Sequence, residues 1–200
     1  MKVIGIDLSL RSTGLVYLND NEFDYRLIVT DSKKLNDEEL LIHNTNEILK
    51  FINKYEPEYI ALEGLSFGSV SSSKDIIAGN FWHLRTELFK NWSGKSKIEI
   101  IPVLTWRSPL FDKDERKLLK ENTKELAVRK KALVGKSKEE KKIFTEENAE
   151  LTLKSNIKYL TWCKLPEPIK NTFKEVGFTK GGFDLTDAYF IAKHIENKYA

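Results

Sequence analysis

Four acidic residues stand where apolar segments stop or start: Asp7, Glu63, Asp184 and Asp187. Asp7 follows Val3-Ile4-Gly5-Ile6, and Glu63 follows Tyr59-Ile60-Ala61-Leu62. Asp184 and Asp187 open the last apolar-periodic stretch, Asp184 to Ala192. A carboxylate at the tip of a buried strand gains nothing from packing and risks desolvation. Several brought together would repel one another unless a cation lay between them. Hard oxygen donors of this kind suit Mg²⁺ or Mn²⁺, whose usual partners are phosphates. The pattern implies metal-dependent chemistry on a phosphodiester.

Two divalent ions about 4 Å apart can stabilise an in-line displacement at phosphorus. In that scheme Asp7 bridges the ions, Glu63 takes one, and the Asp184/Asp187 pair takes the other. The expected products are a 5′-phosphate and a 3′-hydroxyl. Each acid also has a plainer reading. Asp7 could cap the turn that follows it. Asp184 could cap the final helix, with Asp187 at the capping-box offset. A strand-end acid followed by Gly and Thr also occurs in the phosphate hairpin of sugar-kinase and actin-like ATPases. His43, His83 and His194 fall on helical segments, and no Ser-His or Cys-His pairing is evident.

The elements that would position these acids read as α/β. Strands are predicted at 2–8, 14–19, 22–30, 58–63 and 98–102. The helix over 37–55 carries Leu40, Leu41, Thr45, Ile48, Leu49 and Ile52 at helical spacing, with Asn36 as cap and Pro57 as stop. A second helix over 74–91 has Ile77, Phe81, Leu84, Leu88 and Phe89 as its expected inner face. The Gly64–Ser73 stretch between them is a small, polar loop. Charged helices follow at 114–133 and 137–153, then a less regular region over 157–178. A glycine-containing turn precedes the last helix, from Asp184 to about Lys198. The order βββ-α-β-α-β followed by helices implies a layered sheet. Strands 1 and 4, if parallel and adjacent, place Asp7 and Glu63 at one edge.

Two hundred residues, 40% of them apolar, suffice for one domain with a sizeable core. The charged residues Lys2, Asp7 and Arg11 argue against a signal peptide, and no apolar run approaches a membrane span. The single Cys163 excludes an internal disulfide, fits a reducing compartment, and is expected to be buried. Net charge is only +3. Its distribution is uneven, because residues 112–142 hold many more Lys and Arg than Asp and Glu. A basic segment on a near-neutral body suits a polyanion, although a solvated face laced with ion pairs would look the same.

At Ile4-Gly5-Ile6-Asp7-Leu8-Ser9 with Ser12-Thr13-Gly14, at Ile60-Ala61-Leu62-Glu63, and at Asp184-Leu185-Thr186-Asp187-Ala188, the chain resembles the RuvC family of Holliday-junction resolvases. That family lies within the ribonuclease H-like superfamily. Leu8 replaces the proline of the family's first motif. The resemblance implies a mixed five-stranded sheet of order 3-2-1-4-5 flanked by helices. It implies a single nuclease domain over 1–200, with a helical insertion at about 110–180. Asp7, Glu63, Asp184 and Asp187 match the catalytic and metal-binding quartet, which uses two Mg²⁺ ions, with Mn²⁺ able to substitute. The implied partners are branched DNA and a second copy of the chain, paired through the helix at 74–91, with no membrane and no small-molecule cofactor.

The family carries an aromatic three residues beyond the Glu, and here Phe67 lies four beyond. Phe67, Ser69 and Lys74 are the expected DNA contacts of that loop, since an exposed aromatic can stack on an unpaired base. Lys124, Arg129, Lys130 and Lys131 are the expected phosphate contacts of the insertion. The function so implied is paired nicking of a four-way junction by an enzyme of phage or viral type, in the cytoplasm of a bacterial host. Flap or fork cleavage, hydrolysis of RNA–DNA hybrids, an actin-like or sugar-kinase ATPase and a silent nucleic-acid-binding module are the alternatives. An ATPase would need a second phosphate motif and about twice the length.

Overall fold

Runs rich in apolar, β-branched and aromatic residues form Lys2–Asp7 (β1), Ser12–Asn19 (β2) and Glu22–Val29 (β3), a meander, and Tyr59–Glu63 (β4) and Lys97–Ile101 (β5) complete one mixed sheet. The computed structural model describes residues 1–20, 22–31, 34–65, 74–177 and 181–200, without the side chain of Lys74. The strand order is β3-β2-β1-β4-β5, as the resemblance implied. β1 runs antiparallel to β2 and parallel to β4, and β4 is parallel to β5.

Helix α1 (Asp37–Tyr55) begins as its sequence dictates. Asn36 accepts from the Glu39 amide at 2.8 Å, and Glu39 accepts in return from the Asn36 amide at 3.0 Å. Such reciprocal capping satisfies two donors that a helix start leaves over. The helix ends at Glu56 in a left-handed conformation, one residue before Pro57. Helix α2 (Lys74–Trp92) packs on α1, and both lie over one face of the sheet. The core there contains Ile4, Ile6, Ile60 and Leu62 from the strands, and Ile48, Ile52, Leu84 and Leu88 from the helices.

The opposite face carries the last helix, α9 (Gly182–Tyr199). Two glycines decide how closely it approaches. A Cβ on Gly5 would lie 2.1 Å from the Ala188 carbonyl oxygen, and one on Gly14 would lie 2.3 Å from that of Asp184. Helix backbone therefore rests directly on β1 and β2. Leu185, Ile191 and Ile195 are fully buried, and each such side chain contributes roughly 1.5–3 kcal/mol by leaving water.

The chain divides into two compact units, one comprising Met1–Arg107 with Glu167–Ala200 and the other Ser108–Pro166. The first also holds α3 (Val103–Arg107) and α8 (Glu167–Lys174). The Phe173 ring of α8 packs edge-on to Tyr25 at 5.3 Å. The second unit is helical: α4 (Lys113–Lys131), α5 (Lys138–Glu147), α6 (Ala149–Lys154) and α7 (Ile157–Cys163). Phe111, Leu126, Trp162 and Leu165 of this unit are buried. Among the described residues no helix is long and apolar enough to cross a membrane.

Several expectations need correction. The helix expected over 137–153 is two, broken at Asn148, whose side chain bonds the Phe144 carbonyl at 2.9 Å and competes with helix continuation. The less regular region over 157–178 contains α7 and α8. Cys163 is exposed, not buried, because it ends α7 while Thr161 and Trp162 take the inner positions. On α2, Ile77 and Phe89 point outward and Asn80 takes a buried place. The last helix starts at Gly182, and its cap is Gly181 at φ 117°, so Asp184 is not the capping residue.

Candidate active site

Strand parity sends the first two acids to the same side. Successive residues of a strand face opposite ways. Ile4 and Ile6 enter the core under α1 and α2, while Gly5 meets α9. Asp7, two positions after Gly5, therefore projects toward the α9 face. Ile6 is in register with Leu62, so Asp7 and Glu63 are the next step of adjacent parallel strands, which run about 4.8 Å apart. Both acids are half-buried. Each side chain thus emerges at the carboxyl end of its strand, beside its neighbour.

The second pair arrives with α9. Gly14 is the register partner of Asp7, and the backbone of Asp184 rests on Gly14. Asp187 precedes Ala188, whose carbonyl lies over Gly5. The topology thus brings all four predicted acids to one sheet edge.

Each of three carboxylates has a donor held against it. The Ser12 hydroxyl donates to Asp184 Oδ2 at 2.6 Å. Trp106 Nε1 donates to Glu63 Oε2 at 3.1 Å. Arg107 Nη2 donates to Asp187 Oδ2 at 2.7 Å, and the guanidinium lies over the Trp106 ring at 4.4 Å. The Asp187 side chain is 3% exposed and that of Arg107 17%, so this ion pair is largely shielded from solvent. A charge buried to that degree is tolerated because it is paired.

The turn after β1 is pinned from three sides. The Ser9 carbonyl accepts from the Thr13 hydroxyl at 2.9 Å, from the Asn80 amide at 3.3 Å and from the Asn44 amide at 3.4 Å. Asn44 also accepts from the Thr30 hydroxyl at 2.6 Å. Asn44 and Asn80 are 1% and 2% exposed, and a buried amide with a carbonyl partner rigidifies what it touches. They fix the segment that leaves Asp7.

Among the described residues no group of three or more His, Cys, Asp and Glu side chains is arranged to hold a metal ion. The donor chemistry nonetheless fits a hard divalent cation, since four carboxylates reach one edge by backbone placement. Asp184, Glu63 and Asp187 accept from Ser12, Trp106 and Arg107 respectively.

Phe67 and Ser69 lie outside the described residues, as does the side chain of Lys74. Lys124, Lys130 and Lys131 are exposed on α4. Arg129 is engaged within its own unit, with Glu125 at 2.5 Å and with Asn148 Oδ1 at 2.7 Å. The sequence assigns no role to Asn44, Asn80, Trp106 or Arg107, and Ser12 enters only as part of the first motif. The available signal was Trp106-Arg107 itself, an aromatic-cation pair placed just after the strand that neighbours β4.

No protein-family model matches the chain. No curated protein matches it in sequence. Among solved structures it is similar to Thermus thermophilus RuvC in complex with a Holliday junction substrate, at TM-score 0.47 and 15% identity, covering 57% of this chain and 72% of that one. It is similar to fowlpox virus resolvase in complex with Holliday junction DNA, at TM-score 0.46 and 12% identity, covering 100% and 99%. It is similar to the yeast mitochondrial Holliday junction resolvase Ydc2, at TM-score 0.47 and 12% identity, covering 96% and 77%. These likenesses are loose, and the placement of the acids rests on this chain's own strands and helices.

Proposed function

We propose that this chain is a divalent-metal-dependent endonuclease that resolves four-way DNA junctions. The observation that supports it most is the convergence of Asp7, Glu63 and Asp184 at one sheet edge through the β1–β4 register and the Gly14 contact. Asp7, Glu63, Asp184 and Asp187 would hold Mg²⁺, or Mn²⁺ in its place, as two ions. When bound, a divalent ion supplies Lewis acidity toward a phosphodiester and raises the acidity of water. The chain's own residues prepare the edge. Ser12 orients Asp184, Trp106 orients Glu63, and the Asn44–Asn80 clamp keeps the turn after Asp7 in place. The proposed products are a 5′-phosphate and a 3′-hydroxyl, and the proposed setting is the cytoplasm of a bacterial host.

The test is cleavage of a synthetic four-way junction, a flap, a linear duplex and an RNA–DNA hybrid, with Mg²⁺ and with chelator. The junction should be cut fastest, and only with metal. Equal cutting of junction and linear duplex would remove branch selectivity, and fastest cutting of the flap or hybrid would reassign the substrate.

Two further expectations belong to this reading. Lys124, Lys130 and Lys131 on α4, with Phe67, Ser69, Lys74 and Arg129, are proposed as DNA contacts. Each released phosphate counterion adds about −0.9 to the slope of log affinity against log salt on duplex DNA. A steep slope is expected for the junction, and a flat one would strip α4 of the role. A homodimer is proposed through α2, where Trp82, Arg85 and Phe89 share a face. Trp82 is 55% exposed and Phe89 69%, with the Arg85 guanidinium over the Trp82 ring. Sedimentation equilibrium at micromolar concentration should report twice the 23.2 kDa chain mass, and a monomer would sink the pairing.

A further inference from the structure

Arg107 is placed unlike an ordinary surface ion pair. Its guanidinium and Asp187 form a shielded pair, at 2.7 Å, with side chains 17% and 3% exposed. The same guanidinium is stacked on Trp106, the residue that bonds Glu63. One short helix, α3, thus sets consecutive side chains on acids from two different elements, β4 and α9. The Arg107 Nε is buried and finds no protein acceptor. It is a donor left over, on a group whose planar fork matches phosphate oxygens.

We propose that Arg107 is the resident cation of the acidic edge, neutralising Asp187 and competing with a divalent ion for that carboxylate. The inference rests on the metal-dependent reading above and adds to it a control on metal loading. A guanidinium and a divalent ion repel strongly when both lie within a few ångströms in a half-buried site. They therefore exclude one another at Asp187. A phosphodiester arriving at the edge offers the guanidinium an alternative acceptor for the Nη2 donor now given to Asp187 and, once the side chain moves, for the buried Nε. Substrate binding then draws the guanidinium off Asp187 and opens that carboxylate to metal, so that DNA and the second ion load together. A purely structural Arg107 predicts the reverse sign. Its removal would strip the shielded Asp187 carboxylate of its guanidinium partner, loosen the edge and weaken metal binding.

The test is a calorimetric titration of Mn²⁺ alone, without DNA, into wild type, Arg107→Gln, Arg107→Lys and Asp7→Asn, with a thermal melt of each. Arg107→Gln should bind Mn²⁺ about tenfold tighter or more, or take up an additional equivalent, as expected when a unit charge this close is removed. Arg107→Lys keeps the charge and should stay near wild type. Arg107→Met, neutral and of similar length, serves if the glutamine variant melts out. Unchanged or weaker Mn²⁺ binding in the neutral variants overturns the proposal, and so does a lysine variant that tightens as they do. Absence of heat in every protein, or an Asp7→Asn titration identical to wild type, sinks the metal site itself. Tightening in Arg107→Gln alongside failure of the wild-type protein to cut any DNA leaves the Arg107 control standing and removes the nuclease.

Discussion

Asp7→Asn should abolish junction cleavage, by about a thousandfold or more, while junction affinity stays within a few-fold of wild type. The substitution is nearly isosteric and removes one charge from the end of β1. Asp7 lies at the strand tip beyond the buried Val3-Ile4-Gly5-Ile6 run, so the change leaves the apolar packing of β1 intact. Affinity should survive because most of it comes from phosphate contacts elsewhere. Chemistry should not survive, because charge placed where the transition state needs it is usually the largest single contribution to rate. Single-turnover cleavage together with a binding isotherm separates the two. Retained activity would remove Asp7, and with it the edge, from the chemistry. Lost affinity with normal single-turnover rates would move Asp7 to substrate binding.

Gly5→Ala should be severely damaging for a single added methyl group. Its Cβ would meet the Ala188 carbonyl oxygen at 2.1 Å, the Ala192 amide nitrogen at 2.7 Å and the Ala192 Cβ at 2.9 Å. Two of these are backbone atoms and cannot rotate away, so α9 or β1 must shift. Overpacking usually costs about 1–3 kcal/mol, and here the upper end or more is expected in urea unfolding. The comparison variant is Gly14→Ala, whose Cβ would strike the Asp184 carbonyl oxygen at 2.3 Å. It also strains the fold, but it pushes on the first turn of α9. Its loss of cleavage should therefore exceed what its lost stability explains. Wild-type stability in Gly5→Ala would mean that α9 does not rest on β1 as described.

Together these predictions define a division of labour. Small residues let a helix approach the sheet closely enough for Asp184 and Asp187 to reach the strand ends. The strand register then places Asp7 beside Glu63. The polar residues around them, Ser12, Trp106, Arg107, Asn44 and Asn80, hold the acids and the turn after Asp7 in place.

Much of this was legible in one dimension. The apolar runs ending at Asp7 and Glu63 announce buried strands with acids at their tips, because a strand's end and its side-chain alternation are local properties. Helix α1 was readable down to its cap, since Asn36 and Glu39 interact three residues apart. Strand order followed from the arrangement of elements and the resemblance. The inner face of α2 was misread at Phe89 because an apolar side chain need not be inside, and Asn80 was missed because a buried amide is recognisable only once its carbonyl partner is known.

The amino-acid sequence by itself determined which acids reach the end of a strand or the head of a helix, because periodicity and termination are encoded by neighbours. Only the tertiary structure decided what each acid touches. Ser12 and Asp184 are 172 positions apart, and Arg107 and Asp187 are 80 apart. Hydrogen bonds and ion pairs act over a few ångströms, so partners that distant in sequence are chosen by the packing of α3 and α9 against the sheet.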